Sequence, residues 1–330
     1  MHQQHVVVVH LLRCNMKVAF QMDHISSINK DSDSTYMLIK EADRLGFELY
    51  HYTTNDLYLH NQKVLVTVEE LKIYPEQEQF YTLANKQQLE LSLFDMVFIR
   101  QDPPFDMSYI TNSYILEKVK DEVFFINDPT EIRNAPEKIL ASDFARFTPD
   151  TLIAQDINKI RSFAEKYEQI ILKPLYACGG EGVLKLSAPY VDLEQNVQQL
   201  ITDFKTPIIA QQYLPEIKKG DLRVIIAGGK IMGQVLRVPE QGKVAANFHA
   251  GGKAIKARLT KKQEFASEYI GKALLNKNIY FAGLDFIGDY LTEINVTSPT
   301  GIQEINRLEK KEIEQEIWKN FLLNYEGRSK

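Results

Sequence analysis

The pattern of apolar and polar positions divides the first part of the chain into short strands and amphipathic helices. Leu38, Ala42 and Leu45 keep helical spacing ahead of Gly46, and residues 114–119 show a second helical stretch. Because strands alternate with these helices, the pattern predicts a parallel, doubly wound α/β domain over residues 16–134. The predicted strands are residues 17–22, 48–52, 96–100 and 123–127.

The pattern changes after residue 134, where strands and helices no longer alternate regularly. This is typical of α+β structure, which we divide into a central unit, residues 135–214, and a C-terminal unit, residues 215–330. The central unit is predicted to contain strands at 151–154, 170–172, 183–186 and 208–211 and a helix at 159–167. The C-terminal unit is predicted to contain strands at 222–226 and 231–238, a helix at 262–275 and a hairpin over 283–295.

The first 15 residues stand apart from this pattern. The apolar run at residues 6–12 is too short to span a bilayer, and histidines rather than a basic n-region precede it. Since the strand-like residues 16–20 read as the start of the α/β domain, we expect residues 1–15 to be an upstream extension. The alternative is an additional ordered strand.

Composition excludes some classes of partner. The chain has 330 residues, with 39 Lys and Arg against 44 Asp and Glu and a net charge of −5. Because no basic excess is present, we predict no nucleic-acid partner and no membrane partner, and favour a small-molecule ligand. Cys14 and Cys178 are the only cysteines, which fits a cytoplasmic protein rather than one built on disulfides.

A lysine and a glycine-rich segment form the first candidate site. Lys173 ends an apolar, strand-like run, and Gly179, Gly180 and Gly182 follow shortly after it. Closely spaced glycines let backbone N–H groups surround phosphate oxygens, while a fixed lysine supplies positive charge. The alternative is a plain tight turn with a solvated lysine. The chain contains neither a P-loop motif nor a dinucleotide fingerprint after its first strand.

The predicted hairpin at residues 283–295 carries the second candidate site. Glu293 and Asn295 share one face of the returning strand, since side chains alternate with a period of two. Asp285 joins that face only if the turn contains an odd number of residues, which predicts a three-residue loop over residues 288–290. Two carboxylates and an amide oxygen then form a site suited to Mg²⁺. The alternative is a hairpin with one solvated polar face.

Other segments carry weaker signals. Residues 211–214 end a strand where two units join, and such a hinge can offer backbone groups to an adenine. Asp221 and Arg223 are candidates for a ribose hydroxyl and a phosphate, with an ordinary surface pair as the alternative. Cys178 has no obvious partner base and is expected to pack rather than react. His249 has no other His or Cys at zinc-ligand spacing.

Six segments together resemble the bacterial glutathione synthetases. The resemblance covers about residues 16–306 in the same order and at similar spacing. The first and last of the segments are specific to this family rather than to ATP-grasp ligases in general. The segments are residues 102–106 (DPPFD), 171–175 (ILKPL), 213–215 (YLP), 220–221 (GD), 250–252 (AGG) and 291–300 (LTEINVTSPT).

The resemblance implies a fold and a set of site residues. It implies an N-terminal α/β (pre-ATP-grasp) domain that helps to hold a peptide, then a two-part ATP-grasp fold: a central lid and a C-terminal catalytic domain. ATP would lie between the last two, and the family is commonly homotetrameric. The implied ATP residues are Lys138 and Lys173 at the phosphates, Gly179, Gly180 and Gly182 in the lid loop, Gln211, Gln212, Tyr213 and Leu214 at the adenine, and Asp221 at the ribose. The implied metal residues are Asp285, Glu293 and Asn295 for two Mg²⁺ ions, with Glu293 bridging and Mn²⁺ tolerated. Arg223 and Arg237 would face the transferring phosphoryl group or the peptide carboxylate.

The resemblance also implies the reaction, which is ATP-dependent ligation of γ-glutamylcysteine to glycine through an acyl phosphate. Family members usually carry an arginine and a glycine before Asn247, where this chain has Ala245 and Ala246, and Lys253 replaces a frequent arginine. Ala245 and Ala246 lie in the loop between Pro239 and Asn247, which we call the covering loop. Lys243 is our candidate for the missing positive charge in this loop. Two rival functions stay open: a ligase for another carboxylate and amine, and a nucleotide-binding protein without turnover.

Overall fold

A computed structural model describes residues 16–239 and 252–328 of the chain. The expectation for residues 1–15 lies outside the described residues, as do those for Lys243, Ala245 and Ala246 of the covering loop. Within the described ranges, no helix combines the length and the apolar character needed to cross a membrane.

The N-terminal part is built on a sheet with the strand order β3-β4-β2-β1-β7-β8. The strand β1 pairs in parallel with β2 and β7, and β7 pairs in parallel with β8, as the alternating pattern predicts. In chain order the elements are β1 (Lys17–Gln21), α1 (Ser34–Arg44), β2 (Glu48–Tyr52), β3 (Leu57–His60), β4 (Lys63–Ile73), β5 (Tyr81–Leu83), β6 (Gln87–Glu90), β7 (Met96–Ile99), α2 (Met107–Glu117) and β8 (Phe124–Ile126).

The antiparallel strands β3 to β6 were not among the predicted elements. The longest of them, β4, buries Val64, Val66 and Val68 on one face, so a period-two signal was present in the sequence. It pairs with β2, β3, β5 and β6. The doubly wound α/β unit therefore carries an antiparallel extension beyond β2.

The central part contains the antiparallel sheet β11-β10-β12-β9, which two helices cover. The boundaries of the predicted strands lie within two residues of the observed ones, but the second helix, α6, was not predicted. In chain order the elements are α3 (Pro129–Asn134), α4 (Glu137–Leu140), β9 (Thr151–Ala154), α5 (Ile157–Ala164), β10 (Gln169–Pro174), β11 (Leu184–Ser187), α6 (Leu193–Phe204) and β12 (Ile208–Gln212).

The C-terminal part contains the antiparallel sheet β15-β14-β13-β16-β17. Its predicted strands, helix and hairpin are all present. In chain order the elements are β13 (Asp221–Ala227), β14 (Lys230–Val238), β15 (Lys253–Ile255), α7 (Lys261–Leu275), β16 (Phe281–Ile287), β17 (Tyr290–Asn295), α8 (Ile302–Glu309) and α9 (Ile313–Arg328).

One apolar core joins the first and last parts of the chain. Phe20 and Phe98 of the parallel sheet stack at 4.8 Å between ring centroids, and Trp318 of α9 lies 5.1 Å from Phe98. Ile225 of β13 and Ile302 of α8 belong to the same cluster of buried side chains. The N-terminal sheet and the C-terminal sheet are therefore packed on common helices, which fixes the ends of β7 and β17 near each other.

Candidate active site

A cleft of about 470 Å³ lies where the three sheets meet. Its wall includes residues from the N-terminal loop after β7, from the glycine loop, from the end of β12 and from the hairpin of β16 and β17. Every predicted site residue except Gly182 lines it. These residues are Lys138, Lys173, Gly179, Gly180, Gln211, Gln212, Tyr213, Leu214, Asp221, Arg223, Arg237, Asp285, Glu293 and Asn295.

The glycine loop connects β10 to β11 and needs glycine for its backbone shape. Gly179, Gly180 and Gly182 have φ values of +66°, +87° and +68°, a region that side chains disfavour. A Cβ atom on Gly182 would also lie 2.6 Å from Cγ of Pro174. Lys138 supports the start of this loop, because its Nζ donates to the carbonyl oxygens of Pro174 and Ala177.

Lys173 is buried at the cleft and is only 8% exposed. The alternative of a solvated lysine is therefore wrong. Burial lowers its pKa, the charge of Glu293 opposes that effect, and the charge of Lys138 lowers the pKa further. A buried cation interacts strongly with an incoming phosphate, because the local dielectric constant is lower than that of water.

The hairpin brings Asp285 and Glu293 opposite each other, but not through the predicted turn. The three-residue loop over residues 288–290 is wrong, since Ile287 pairs directly with Tyr290 across a two-residue turn. The register then shifts between Asp285 and Phe286, so that Thr292 is the extra residue of a β-bulge. The bulge supplies the odd residue that the turn lacks, and the predicted shared face results.

Arginines bind the carboxylate of Asp285 from two strands. Arg223 Nε and Nη2 donate to Asp285 at 2.5 and 2.8 Å, and Arg237 Nη2 lies 3.0 Å from its Oδ2. Burial alone would raise the pKa of Asp285, but the two guanidinium groups outweigh it and lower the pKa to about 2. A Cβ on Gly283 would lie 3.0 Å from Arg223 Cδ, so the glycine leaves room for this side chain.

Asp221 is held by the same network. Arg237 Nε and Nη2 donate to its carboxylate at 2.6 and 2.8 Å. The alternative that Asp221 and Arg223 form an ordinary surface pair is wrong, because each binds a different, buried partner across neighbouring strands. The predicted contact of Asp221 with a ribose stays a prediction.

Glu293 and Asn295 offer oxygen ligands on the same face as Asp285. The carboxylate of Glu293 forms no hydrogen bond or ion pair with any described residue, and Asn295 donates from Nδ2 to Asp285 Oδ2 at 3.0 Å. The amide oxygen of Asn295 and the carboxylate of Glu293 therefore lie ready for a hard cation. Asp285 is only 4% exposed, which contradicts the alternative of a fully solvated hairpin face. In the described ranges, no three His, Cys, Asp or Glu residues cluster as a metal site, so this set depends on the asparagine.

The predicted adenine segment follows β12. Gln211 Nε2 donates to Thr151 Oγ1 at 2.8 Å, and the amides of Gln212 and Tyr213 donate to backbone carbonyls. The Leu214 amide donates no hydrogen bond within the described part of the chain. The backbone N–H of Leu214 therefore remains available as a donor to an adenine edge.

Sequence reasoning missed one cleft residue, Glu137, and misjudged another, Cys178. Glu137 accepts from Thr297 Oγ1 at 2.9 Å, and burial raises its pKa, as does the charge of Glu293. The signal that was available is its position next to Lys138. Cys178 is exposed on the glycine loop, so the expectation that it packs is wrong.

Two family models match consecutive parts of the chain. Residues 16–133 match the N-terminal domain of prokaryotic glutathione synthetase, and residues 137–310 match the ATP-grasp domain of prokaryotic glutathione synthetase. Together these ranges cover most of the chain.

Curated relatives match over nearly their whole length. The chain is 40% identical to glutathione synthetase of Mesorhizobium japonicum over 303 residues, which cover 92% of this chain and 97% of that protein. It is 36% identical to glutathione synthetase of Escherichia coli O6:H1 over 292 residues, which cover 88% of this chain and 92% of that protein.

Solved structures show the same fold at much lower identity. D-cycloserine synthetase DcsG matches with a TM-score of 0.65 and 13% identity, covering 94% of this chain and 99% of that chain. D-alanyl-alanine synthetase A of Vibrio cholerae matches with a TM-score of 0.63 and 12% identity, covering 95% and 99% respectively. The predicted α/β domain followed by a two-part ATP-grasp fold is confirmed.

Proposed function

The chain belongs to the prokaryotic glutathione synthetase family, and from this membership we propose that the cleft is where ATP, γ-glutamylcysteine and glycine react. The activity is ATP-dependent ligation of the dipeptide to glycine. The observation that supports this location is the convergence of Lys138, Lys173 and the Asp285–Glu293 pair on one cleft. Full-length similarity to curated glutathione synthetases supports the substrates.

ATP is proposed to lie between the central and C-terminal sheets. Leu214 offers its backbone amide to the adenine, and the glycine loop offers amides to the phosphates. Lys173 supplies buried positive charge, and Lys138 shapes the loop through its two carbonyl contacts while adding its own charge. Asp221 is proposed at the ribose.

Asp285, Glu293 and Asn295 are proposed to hold Mg²⁺, since their oxygen atoms fit its ligand preference. This proposal includes two ions, which these three residues would hold, and tolerance for Mn²⁺ in place of Mg²⁺. When bound, the metal supplies charge neutralisation for phosphoryl transfer.

The protein residues position the substrates and stabilise charge during the reaction. A carboxylate oxygen of the cysteinyl residue attacks the γ-phosphorus, ADP leaves, and an acyl phosphate results. The glycine amine then attacks the acyl carbon, phosphate leaves with the carboxylate oxygen, and the amine loses a proton. Arg223 and Arg237 are proposed to stabilise negative charge, because their aspartate partners hold both guanidinium groups rigidly. The glycine loop limits the access of water.

ADP release is expected to require γ-glutamylcysteine and glycine together, because the acyl phosphate stays protected until the amine arrives. A coupled assay of ADP release with a panel of dipeptide and amine pairs checks this prediction. Turnover with another carboxylate and amine, and none with γ-glutamylcysteine and glycine, would support the broader ligase function instead. Binding of ATP without any turnover would support the non-enzymatic alternative.

The assembly and the cellular location are proposed on family membership alone. We propose a homotetramer in the cytoplasm, with small-molecule substrates and neither nucleic acid nor membrane as partner. The net charge of −5 supports the absence of a polyanionic partner. Sedimentation of the purified chain measures the assembly directly.

The domain boundaries after residues 134 and 214 also stay proposals.

A further inference from the structure

Residues 298–301 form a loop after β17, which we call the substrate-side loop. Ser298, Pro299 and Thr300 of this loop line the cleft next to Asp102 and Pro103. The lysines and the glycine loop proposed for ATP come from other segments of the chain. The substrate-side loop therefore lies where it can contact a substrate other than ATP, and we take that substrate to be the dipeptide.

The N-terminal domain holds this loop by several hydrogen bonds. Arg100, directly after β7, donates from Nη2 to the Pro299 carbonyl at 3.1 Å. Ser34 of α1 accepts at its Oγ from the amides of Gly301 and Ile302, at 3.0 and 3.2 Å. Ser298 donates from its Oγ to Asp102 at 2.6 Å.

The ATP-grasp sheet holds the same loop through Arg223. Its Nη1 donates to the Thr300 carbonyl at 3.1 Å, while the rest of its guanidinium group binds Asp285. Consecutive carbonyls, those of Pro299 and Thr300, are thus bound by arginines from different domains. The position of the loop is set relative to both the N-terminal domain and the proposed metal residues.

Arg100 is an unfavourable residue for the stability of the folded chain. It is only 4% exposed, and its Nη1 atom has no hydrogen-bond partner among the described residues. Its Nε donates to Thr35 Oγ1 at 3.0 Å, and the charges of Asp33 and Asp102 help to balance its own. Because a buried cation with an unsatisfied donor is costly, an apolar side chain would support packing better. Its contact with the loop explains why an arginine is present.

We propose that Arg100 is a positioning residue, which acts together with Ser34 to fix the substrate-side loop for binding the γ-glutamylcysteine dipeptide. Neither residue contacts the reacting atoms. This inference rests on the proposed function, because it takes the dipeptide as the ligand of the loop. ATP binding does not depend on it, since the proposed ATP residues lie on other segments.

The test measures steady-state kinetics of the full chain for Arg100→Met and Ser34→Ala. We expect the KM for γ-glutamylcysteine to rise about tenfold or more in each variant, on the scale of one lost hydrogen bond to a charged or buried group. The KM for ATP should stay within about twofold. If Arg100→Met fails to fold, Ser34→Ala decides, because it removes the support of the loop from another element.

Trp318→Phe is the matched control. It removes a buried hydrogen bond between the same two parts of the chain, from Trp318 Nε1 to the Leu38 carbonyl at 2.8 Å, without touching the loop. We expect a lower Tm and an unchanged dipeptide KM. Equal KM increases in all three variants, or unchanged KM in Arg100→Met and Ser34→Ala, would overturn the positioning role. A wild-type chain that is inactive with γ-glutamylcysteine and glycine would instead overturn the proposed function itself.

Discussion

Replacing Lys173 by methionine is expected to reduce turnover at least about a hundredfold, which is the scale of one lost electrostatic donor in a catalytic site. Lys173 lies at the cleft, and burial already lowers its pKa. Methionine fills a similar volume and removes a buried charge, so the circular dichroism spectrum should not change and the Tm should not fall. The rate is measured by ADP release at saturating substrates.

Lys159→Met is the control for this experiment. Lys159 is an exposed lysine on α5 of the same central unit, so its loss should leave turnover within about twofold. Near-normal turnover of the Lys173 variant would remove Lys173 from the proposed ATP site. A Lys173 variant that loses its circular dichroism signal would show that the lysine supports the fold.

Changing Glu293 to glutamine is expected to raise the Mg²⁺ concentration needed for half-maximal activity by at least about tenfold, because one anionic ligand becomes neutral. Glu293 lies opposite Asp285 across the hairpin. Since the Glu293 side chain has no hydrogen-bond or ion-pair partner among the described residues, the substitution breaks no such contact. Titration of activity with Mg²⁺ at fixed ATP measures the effect.

Asp289→Asn provides the matched carboxylate in the same hairpin. Asp289 lies in the turn, where it accepts from Thr260 Oγ1 at 2.8 Å and pairs with Lys262. We expect its Mg²⁺ requirement to stay within about twofold of the wild type. Small and equal effects of the two substitutions would mean that Glu293 does not bind the metal.

Much of the fold could be predicted from the sequence because local patterns carried it. The parallel strands β1, β2, β7 and β8 are short and largely apolar, helices follow β1 and β7, and each strand was found at its expected place. The antiparallel strands between β2 and β7 were missed although β4 alternates clearly. Alternation predicts a strand, but the partners of that strand depend on contacts that are distant in sequence.

The candidate site shows the same division between local and distant information. That Glu293 and Asn295 share a face follows from strand parity, whereas Asp285 joins that face only through the bulge at Thr292, which no local pattern indicates. The pairing of Arg237 with Asp221 depends on the register of β13 and β14. Arg100 was missed for a similar reason, since its partner Pro299 lies 199 residues away in the chain.

Oxygen transfer from the dipeptide to phosphate tests most directly whether this chain activates a carboxylate with ATP. The cysteinyl carboxylate of γ-glutamylcysteine is labelled with ¹⁸O in both oxygens and turned over with ATP and glycine. An acyl phosphate leaves one labelled oxygen in the inorganic phosphate and the other in the new peptide carbonyl. Mass spectrometry of the phosphate should therefore show one ¹⁸O atom for each peptide formed. Peptide formation accompanied by unlabelled phosphate would contradict the mechanism.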